Sequence, residues 1–181
     1  LGINPIVLGY THKPSNRRNV KRRKKVSEYG LQLKEKQKVK FIYGVLEKQF
    51  KLTYQRAEKM DGMTGENVLK LLELRFDNIV YRIGWATTRI QARQMVNHGH
   101  VLVNGKRVDI PSYQVRISDV ISIRDAVRQA SVSRKFATAR RVPLWLAYDE
   151  EQASASVVAN PQRSDIDFNV SERAIVELYS K

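Results

Sequence analysis

The order of structural elements is most evident in residues 88–123, TRIQARQMVNHGHVLVNGKRVDIPSYQVRISDVISI. This stretch reads as a short basic helix, a glycine stop, a tight hairpin, a proline loop and a strand. Thr88 can cap the helix start, and Gln91 three residues later completes a capping-box pattern. Gly99 fits the left-handed position just past a helix end.

The predicted helix has two neighbouring arcs, one apolar and one polar, because residues four apart lie on the same side of a helix. The apolar arc consists of Ala92, Met95 and Val96, and the polar arc of Arg89, Arg93 and Asn97. The first arc can pack against a core, and the second can meet phosphates.

A two-residue hairpin of type I′ is indicated by Asn104-Gly105 between two short apolar or basic runs. The pairs that this turn predicts are Val103 with Lys106, Leu102 with Arg107 and Val101 with Val108. Residues 120–123 supply a third strand. Taken alone, the pattern fits a small α+β module with a solvated basic face, but Arg and Lys clustered on a helix and its adjoining hairpin favour RNA binding.

Composition favours a globular nucleic-acid-binding protein. The 181 residues suggest one or two domains. The chain is 42% hydrophobic and 28% charged, a composition that argues against an intrinsically disordered protein. The 33 basic and 18 acidic residues leave a net charge of +15, which points to nucleic acid before anionic membrane. No run approaches the roughly 18 apolar residues of a spanning helix. Residues 12–59 carry 16 basic and 4 acidic residues, whereas residues 146–181 carry 3 and 7, so the positive field belongs to the earlier part.

Residues 11–25, THKPSNRRNVKRRKK, form a basic run that cannot fold alone because like charges repel and almost nothing apolar is available to bury. Such a run can be a solvated tail, a targeting signal or an arm that becomes ordered on nucleic acid. A second basic surface in the same chain favours the arm. The predicted RNA contacts in this run are Arg17, Arg18, Lys21, Arg22, Arg23, Lys24 and Lys25.

Three helices are predicted between residues 28 and 84. In the first, Leu33, Gln37 and Phe41 form the docking line, while the alternating lysines fan round more than one face. The second, at about 47–59, packs through Phe50, Tyr54 and Ala57. The third runs unbroken over 64–84, and Arg75 within its apolar face needs a carboxylate or a phosphate, of which an internal salt bridge is favoured.

The rest of the chain reads as a basic helix within 124–141, a strand after Pro143, a turn at Asn160-Pro161 and an apolar end that docks on the body. Asn169 is the expected cap of the final turn. The sequence contains no phosphate-binding glycine loop, nucleophile elbow or metalloprotease helix. His98 and His100 lack further ligands nearby, and cysteine is absent, so neither a metal nor another cofactor is expected.

Four long blocks resemble the small ribosomal subunit protein S-four (uS-four) family of bacterial type. They are SEYGLQLKEKQKVKFIYGVLEKQF at 27–50, TGENVLKLLELRFDNIVYRIG at 64–84, TRIQARQMVNHGHVLVNGKRVDIPSYQV at 88–115 and RSDIDFNVSERAIVELYSK at 163–181. The resemblance implies an α+β fold: a helical first domain, an α/β RNA-binding module of two helices and a small antiparallel sheet, and a C-terminal strand folded back on the body. Family members carry a further basic N-terminal segment, in some species with zinc-binding cysteines, and no zinc is carried over to this chain.

We therefore expect a basic arm at 1–26, a helical rRNA-binding domain at 27–74 on which residues 170–181 pack, and an α+β domain at 75–169 whose RNA-binding module lies at about 75–124. By resemblance the partners are small-subunit rRNA of the 5′ domain, the small-subunit proteins numbered three and five, and mRNA as a further candidate, with no membrane. The location is a cytoplasmic ribosome, and an organellar ribosome stays open. The resemblance also implies a place near the mRNA entry channel, a role in early assembly and an influence on translational accuracy.

The predicted RNA contacts comprise the basic arm, part of the first helix and the module of residues 88–123. Beyond the arm they are Ser27, Tyr29, Lys34, Lys36, Gln37, Lys38, Lys40, Arg89, Arg93, Asn97, His98, Asn104, Lys106 and Arg107. Two alternatives use the same module. One is an RNA-modifying enzyme, because Arg75-Phe76-Asp77 weakly resembles the catalytic motif of pseudouridine synthases; no room remains for a catalytic domain, and an enzyme is not expected. The other is a stress-related ribosome-binding protein, against which the helical first domain argues.

Overall fold

The computed structural model describes residues 3, 27–124 and 142–180. The chain divides into two compact units, residues 1–68 with 167–181 and residues 69–166. The first is helical, and the second combines helices with a sheet, so the α+β class is confirmed. The predicted cations of the arm, Arg17–Lys25, and the predicted basic helix after Arg124 lie outside the described residues. The predicted domain limits remain predictions.

The helical unit contains α1 (Glu28–Tyr43), α2 (Glu47–Glu58), the start of α3 (Thr64–Glu73) and α6 (Glu172–Tyr179). The Ser27 hydroxyl accepts a hydrogen bond from the Gly30 amide at 3.2 Å and so caps α1. The predicted packing face of α2 is confirmed, since Phe50, Tyr54 and Ala57 are all buried.

The predicted docking face of α1 is wrong. Phe41 is 60% exposed, and the buried residues of this helix are Gln32, Val39, Ile42 and Tyr43. This face packs against α6, where the Gln32 amide donates to a Glu177 carboxylate oxygen at 3.2 Å. Periodicity alone offered two candidate lines, and the position of α6 selects the one that contains Val39 and Ile42.

The C-terminal segment folds back on the helical unit as predicted, but it is the helix α6 and not a strand. Its cap is Ser171, whose hydroxyl accepts from the Ala174 amide at 3.4 Å, and not Asn169. The Asn169 carbonyl instead accepts a hydrogen bond from the Lys38 ammonium. This segment contains the good helix formers Glu, Arg, Ala and Leu, which favours a helix. One side of the helix carries the buried Ile175.

The single helix predicted over 64–84 is also wrong, because α3 ends at Glu73 and α4 spans Phe76–Ile83. Between them Arg75 adopts an extended conformation, with φ −69° and ψ 138°. The Leu74 carbonyl accepts from the Val115 amide at 3.0 Å, and the Phe76 amide donates to the Tyr113 carbonyl at 2.9 Å. The backbone groups freed at the break are thus paired with a distant loop, which no local pattern reveals.

The α/β unit adds α5 (Arg89–Asn97) and five antiparallel strands in the order β2-β1-β3-β5-β4. The strands are β1 (Val101–Val103), β2 (Lys106–Arg107), β3 (Val120–Ile123), β4 (Leu146–Asp149) and β5 (Ser154–Val157). Two predicted hairpin pairs, Leu102 with Arg107 and Val103 with Lys106, are confirmed. Because β2 ends at Arg107, the predicted pair of Val101 with Val108 lies beyond the ladder.

One apolar cluster joins α4, α5 and the sheet. It contains Ile79, Val80, Ala92, Val96 and Val101, each fully or almost fully buried.

A short 3-10 helix spans Arg163–Asp165. No helix in the described part of the chain is both long and apolar enough to cross a membrane.

Candidate nucleic-acid interface

Helix α5 begins and ends where the sequence predicts. The Thr88 hydroxyl accepts from the Gln91 amide at 3.1 Å, while the Gln91 side chain accepts from Thr87 rather than completing a reciprocal box. Gly99 has φ +65° and donates to the Val96 carbonyl at 2.8 Å. With the further bond from the His100 amide to the Met95 carbonyl at 3.1 Å, this is a Schellman termination, which turns the chain directly into β1.

The outer side of α5 exposes Arg93, Asn97 and His98 to solvent. The Arg93 side chain is 47% exposed, and its Nη1 lies 3.8 Å from an Asp77 carboxylate oxygen. A half-exposed ion pair at that distance contributes little and leaves the guanidinium able to take a phosphate. These three predicted residues thus share one accessible face, although their contact with RNA remains a prediction.

Arg89 does not belong to that face, which corrects the polar arc expected from the sequence. Its side chain is buried, its Nε donates to the Asn78 amide oxygen at 2.9 Å, and its guanidinium lies 4.1 Å from the centre of the Tyr81 ring. Asn78 and Tyr81 both belong to α4, so Arg89 holds α5 against α4. It is a positioning residue for the exposed face.

Buried ion pairs also hold α4, the helix against which Arg89 packs. Arg82 donates through Nε and Nη2 to the two carboxylate oxygens of Glu73 at 2.9 and 2.7 Å. Asn78 donates to the same carboxylate at 2.8 Å. Arg75 pairs with Asp77 in the same two-pronged manner at 3.0 and 2.7 Å, so the internal salt bridge expected for Arg75 is confirmed. Charges this buried are tolerated because each carboxylate is doubly paired.

The hairpin turn has the predicted geometry, since Asn104 and Gly105 have φ of 51° and 74°. The Asn104 side chain is exposed but makes hydrogen bonds to other residues of the protein. Its amide nitrogen donates to Asp119 Oδ1 at 2.8 Å, and its amide oxygen accepts from the Val120 amide at 2.9 Å. Asn104 therefore fastens the turn to β3, which is a structural role not foreseen for this predicted RNA contact.

Basic side chains converge where α5 meets the hairpin. Arg107 lies over Gly99, so closely that a Cβ added at Gly99 would stand 2.2 Å from Arg107 Nε. The His98 and His100 rings are 5.5 Å apart, and the Arg124 amide donates to the His100 carbonyl at 3.0 Å. Burial, and then the positive charges of His98, Arg124 and Arg107, lower the pKa of His100 below its usual 6.5. Burial is the larger cause, and the three neighbouring cations lower this pKa further because they disfavour a second positive charge.

We call this group of exposed residues the hairpin surface. It consists of Arg93, Asn97, His98, Lys106, Arg107 and Arg124. Among the residues that the structure describes, the acidic neighbour of Arg107 is Asp109, at 3.9 Å, and both side chains are more than half exposed. The predicted contacts do not include Arg124, because the sequence assigns it to the start of the next basic segment. The position of Arg124 directly after the third strand was the sequence feature that could have placed it beside the hairpin.

Three lysines of α1 have partners within the protein, which gives them a structural role, while their contact with RNA remains a prediction. Lys36 and Lys40 each bind a different carboxylate oxygen of Glu47, at 2.7 and 2.5 Å, and Lys38 binds the Asn169 carbonyl. Their side chains are only 12–17% exposed. The acceptors come from α2 and from the segment before α6, which the helical pattern of α1 does not reveal.

Glu47 receives unusually many donors for an exposed residue. Burial alone would raise its pKa, but hydrogen bonds from Lys36 and Lys40 together with their charges lower it from 4.5 to about 2. The Tyr179 hydroxyl also donates to Glu47 at 3.2 Å. Of the other predicted contacts in this unit, Tyr29 and Lys34 are exposed, Gln37 is half-buried, and Ser27 is exposed but caps α1.

The arrangement can bind anions but offers no evident catalytic chemistry. In the described parts of the chain, no group of three or more His, Asp or Glu side chains is placed to hold a metal ion. Asp77, the acidic residue of the weak synthase-like motif, is buried and paired with Arg75. Exposed cations on a fixed helix and hairpin are suited to neutralising phosphates.

Comparison with known proteins covers almost the whole chain. The family described as the Ribosomal protein S4/S9 N-terminal domain matches residues 9–73, and the S4 domain matches residues 74–121. Small ribosomal subunit protein uS4A of Clostridium perfringens is 56% identical over 160 residues, covering 88% of this chain and 78% of that protein. Small ribosomal subunit protein uS4 of Lachnoclostridium phytofermentans is 52% identical over 185 residues, covering 100% of this chain and 93% of that protein.

Proposed function

Because the chain belongs to the uS4 family of small ribosomal subunit proteins, we propose that it is a non-enzymatic structural component of that subunit which binds rRNA of the 5′ domain. The observation that carries the binding proposal is the hairpin surface, where four exposed cations lie in α5, in β2 and directly after β3. Its anchoring through the buried Arg89 supports a rigid binding face. Rigid presentation lowers the entropic cost of binding.

Binding proceeds through phosphate neutralisation by Arg93, Lys106, Arg107 and Arg124. Asn97 and His98 then fit the shape of the folded RNA, as side chains do where RNA is recognised by form rather than by groove readout. The exposed Lys34 and Tyr29 of the helical unit extend the contact. The strongly basic segment of Arg17–Lys25 adds to it through charge.

Family resemblance supports the finer parts of the proposal. The protein joins the subunit early in assembly at a junction of rRNA helices, lies near the mRNA entry channel and next to the proteins numbered three and five, and influences decoding accuracy. mRNA is a further candidate partner. As a subunit component of bacterial type, it works in the cytoplasmic ribosome.

The test is quantitative mass spectrometry of small subunits purified from the source cells by gradient centrifugation in high salt. One copy per subunit is expected. A substoichiometric protein that washes off would contradict the proposal and support instead a stress-related factor that uses the same module.

A further inference from the structure

We propose that the outer side of α2 is a second phosphate-binding surface, distinct from the hairpin surface and from the predicted lysines of α1. We call it the α2 face, and it consists of Lys48, Lys51 and Arg56 together with Lys59, the C-cap residue of the helix. All four side chains are exposed. The inference rests on the proposed function, since its ligand is the sugar-phosphate backbone of the same rRNA.

The opposite side of α2 fixes its orientation. Phe50, Tyr54 and Ala57 are buried, and the Tyr179 ring of α6 stacks on Phe50 and Tyr54 with centroid distances of 6.2 and 4.4 Å. Residues on the far side of the helix must therefore point outward. The α2 face is thus presented by a helix that two neighbouring aromatic contacts hold in place.

The cations of the α2 face have no acidic partner in the described part of the chain. Lys48, Arg56 and Lys59 have no Asp or Glu three or four residues away in either direction. Lys51 has Glu47 four residues before it, but the two carboxylate oxygens of Glu47 already accept from Lys36 and Lys40. The helix therefore supplies no carboxylate to these four cations, although the negative end of its dipole lies near Arg56 and Lys59.

The spacing places like charges next to each other. Lys48 and Lys51, and again Arg56 and Lys59, are three residues apart, a distance at which like charges repel across one helical turn and destabilise the helix. An anionic strand along this side would relieve that repulsion. From Lys48 to the C-cap residue Lys59 the distance along the helix axis is about 16 Å, enough to follow several successive phosphates of one strand.

The contrast with α1 sharpens the inference. Both helices carry several lysines, but three of those on α1 bind acceptors within the protein. The engagement of Glu47 by Lys36 and Lys40 is also what deprives Lys51 of its helical partner. The α2 face therefore offers phosphates exposed cations that Lys36, Lys38 and Lys40 of α1 do not offer.

The experiment is a binding titration of the full chain against a small-subunit 5′-domain transcript over a salt series. The variants are Lys51→Gln, Lys59→Gln and the double substitution. Arg173→Gln is the matched control, because Arg173 is an 89% exposed cation of the same unit that pairs with Glu177 at 2.9 Å. Each α2 variant should lower the slope of log affinity against log salt by about 0.7–0.9, and the double variant by about twice that with roughly tenfold weaker binding.

Thermal unfolding followed by circular dichroism separates binding from folding. Removing one charge of each like pair relieves repulsion, which offsets the loss of a cation at the helix C-terminus in Lys59→Gln, so the midpoint should change little. A midpoint like that of wild type shows that weaker binding does not come from a melted helix. The proposal for the α2 face would be overturned if wild type bound with a steep salt slope and the double variant bound as wild type and Arg173→Gln do. The α2 face would then be a solvated surface. Wild type that fails to bind the transcript would overturn the proposed function itself.

Discussion

Arg89 and Arg93 look equivalent in the sequence, one helical turn apart, yet the structure predicts opposite consequences for Arg89→Met and Arg93→Met. Arg89 is buried against Asn78 and Tyr81, whereas the Arg93 side chain is 47% exposed. Methionine preserves much of the length and the apolar stem of each side chain but removes the guanidinium. The pair is therefore a matched test of which arginine supports the fold and which one meets RNA.

The magnitudes follow from the contacts. A hydrogen bond from a charged donor contributes about 1.5–3 kcal/mol, and a desolvated cation–π contact about 2 kcal/mol. Removing a buried charge also removes its desolvation cost. The free energy of unfolding should therefore fall by about 2–3 kcal/mol in Arg89→Met. Within the described residues the ion pair of Arg93 is its 3.8 Å approach to Asp77, so Arg93→Met should cost less than about 1 kcal/mol.

Tryptophan fluorescence during urea unfolding reads the relevant unit specifically. Both tryptophans of the chain, Trp85 and Trp145, are buried in the core of the α/β unit. Arg89→Met should lower the free energy of unfolding and leave the salt slope of RNA binding unchanged. Arg93→Met should do the reverse, lowering the slope by about 0.7–0.9. If Arg89→Met unfolds like wild type and loses slope, the buried placement of Arg89 is refuted.

Two further predictions concern side chains that link elements. The pKa of Glu47 is lowered in the folded state from 4.5 to about 2, so its stabilising contribution is present above about pH 4.5 and is lost as the pH falls toward 2. Glu47→Gln should therefore lower the free energy of unfolding by less than about 1 kcal/mol at pH 7, since the side chain is 49% exposed. In thermal unfolding followed by circular dichroism, the variant should lose less stability than wild type as the pH falls below 4.5. An equal loss in both proteins would contradict the three hydrogen bonds to Glu47. Asn104→Gly keeps the positive φ but loses the bonds to Asp119 and Val120, at about 1 kcal/mol, and Asn104→Ala should cost about 1 kcal/mol more for backbone strain. Urea unfolding followed by tryptophan fluorescence checks the order, and equal stability of the two variants would exclude the strain.

Local patterns predicted the elements whose signals lie within a few residues. The cap at Thr88, the stop at Gly99 and the turn at Asn104-Gly105 depend on neighbouring backbone groups, and all three are confirmed. Periodicity likewise identified the packing face of α2. These signals are strong because they do not depend on what the rest of the chain contributes.

Predictions failed where a distant partner decides the outcome. The break at Leu74 and Arg75 depends on backbone groups of Tyr113 and Val115, about forty residues away in sequence. The engagement of Lys38 depends on Asn169, and that of Arg89 on Asn78 and Tyr81. A basic residue can be assigned to a phosphate from sequence only when no acceptor from elsewhere in the fold reaches it first.

The central claim is that exposed cations on fixed elements bind small-subunit rRNA through its phosphates. The most direct measurement is a filter-binding titration of the full chain against a 5′-domain transcript across a salt series, with an unrelated RNA duplex as competitor. We predict a steep linear fall of log affinity with log salt and clear preference for the transcript. A flat salt dependence, or equal affinity for the unrelated duplex, would contradict the account.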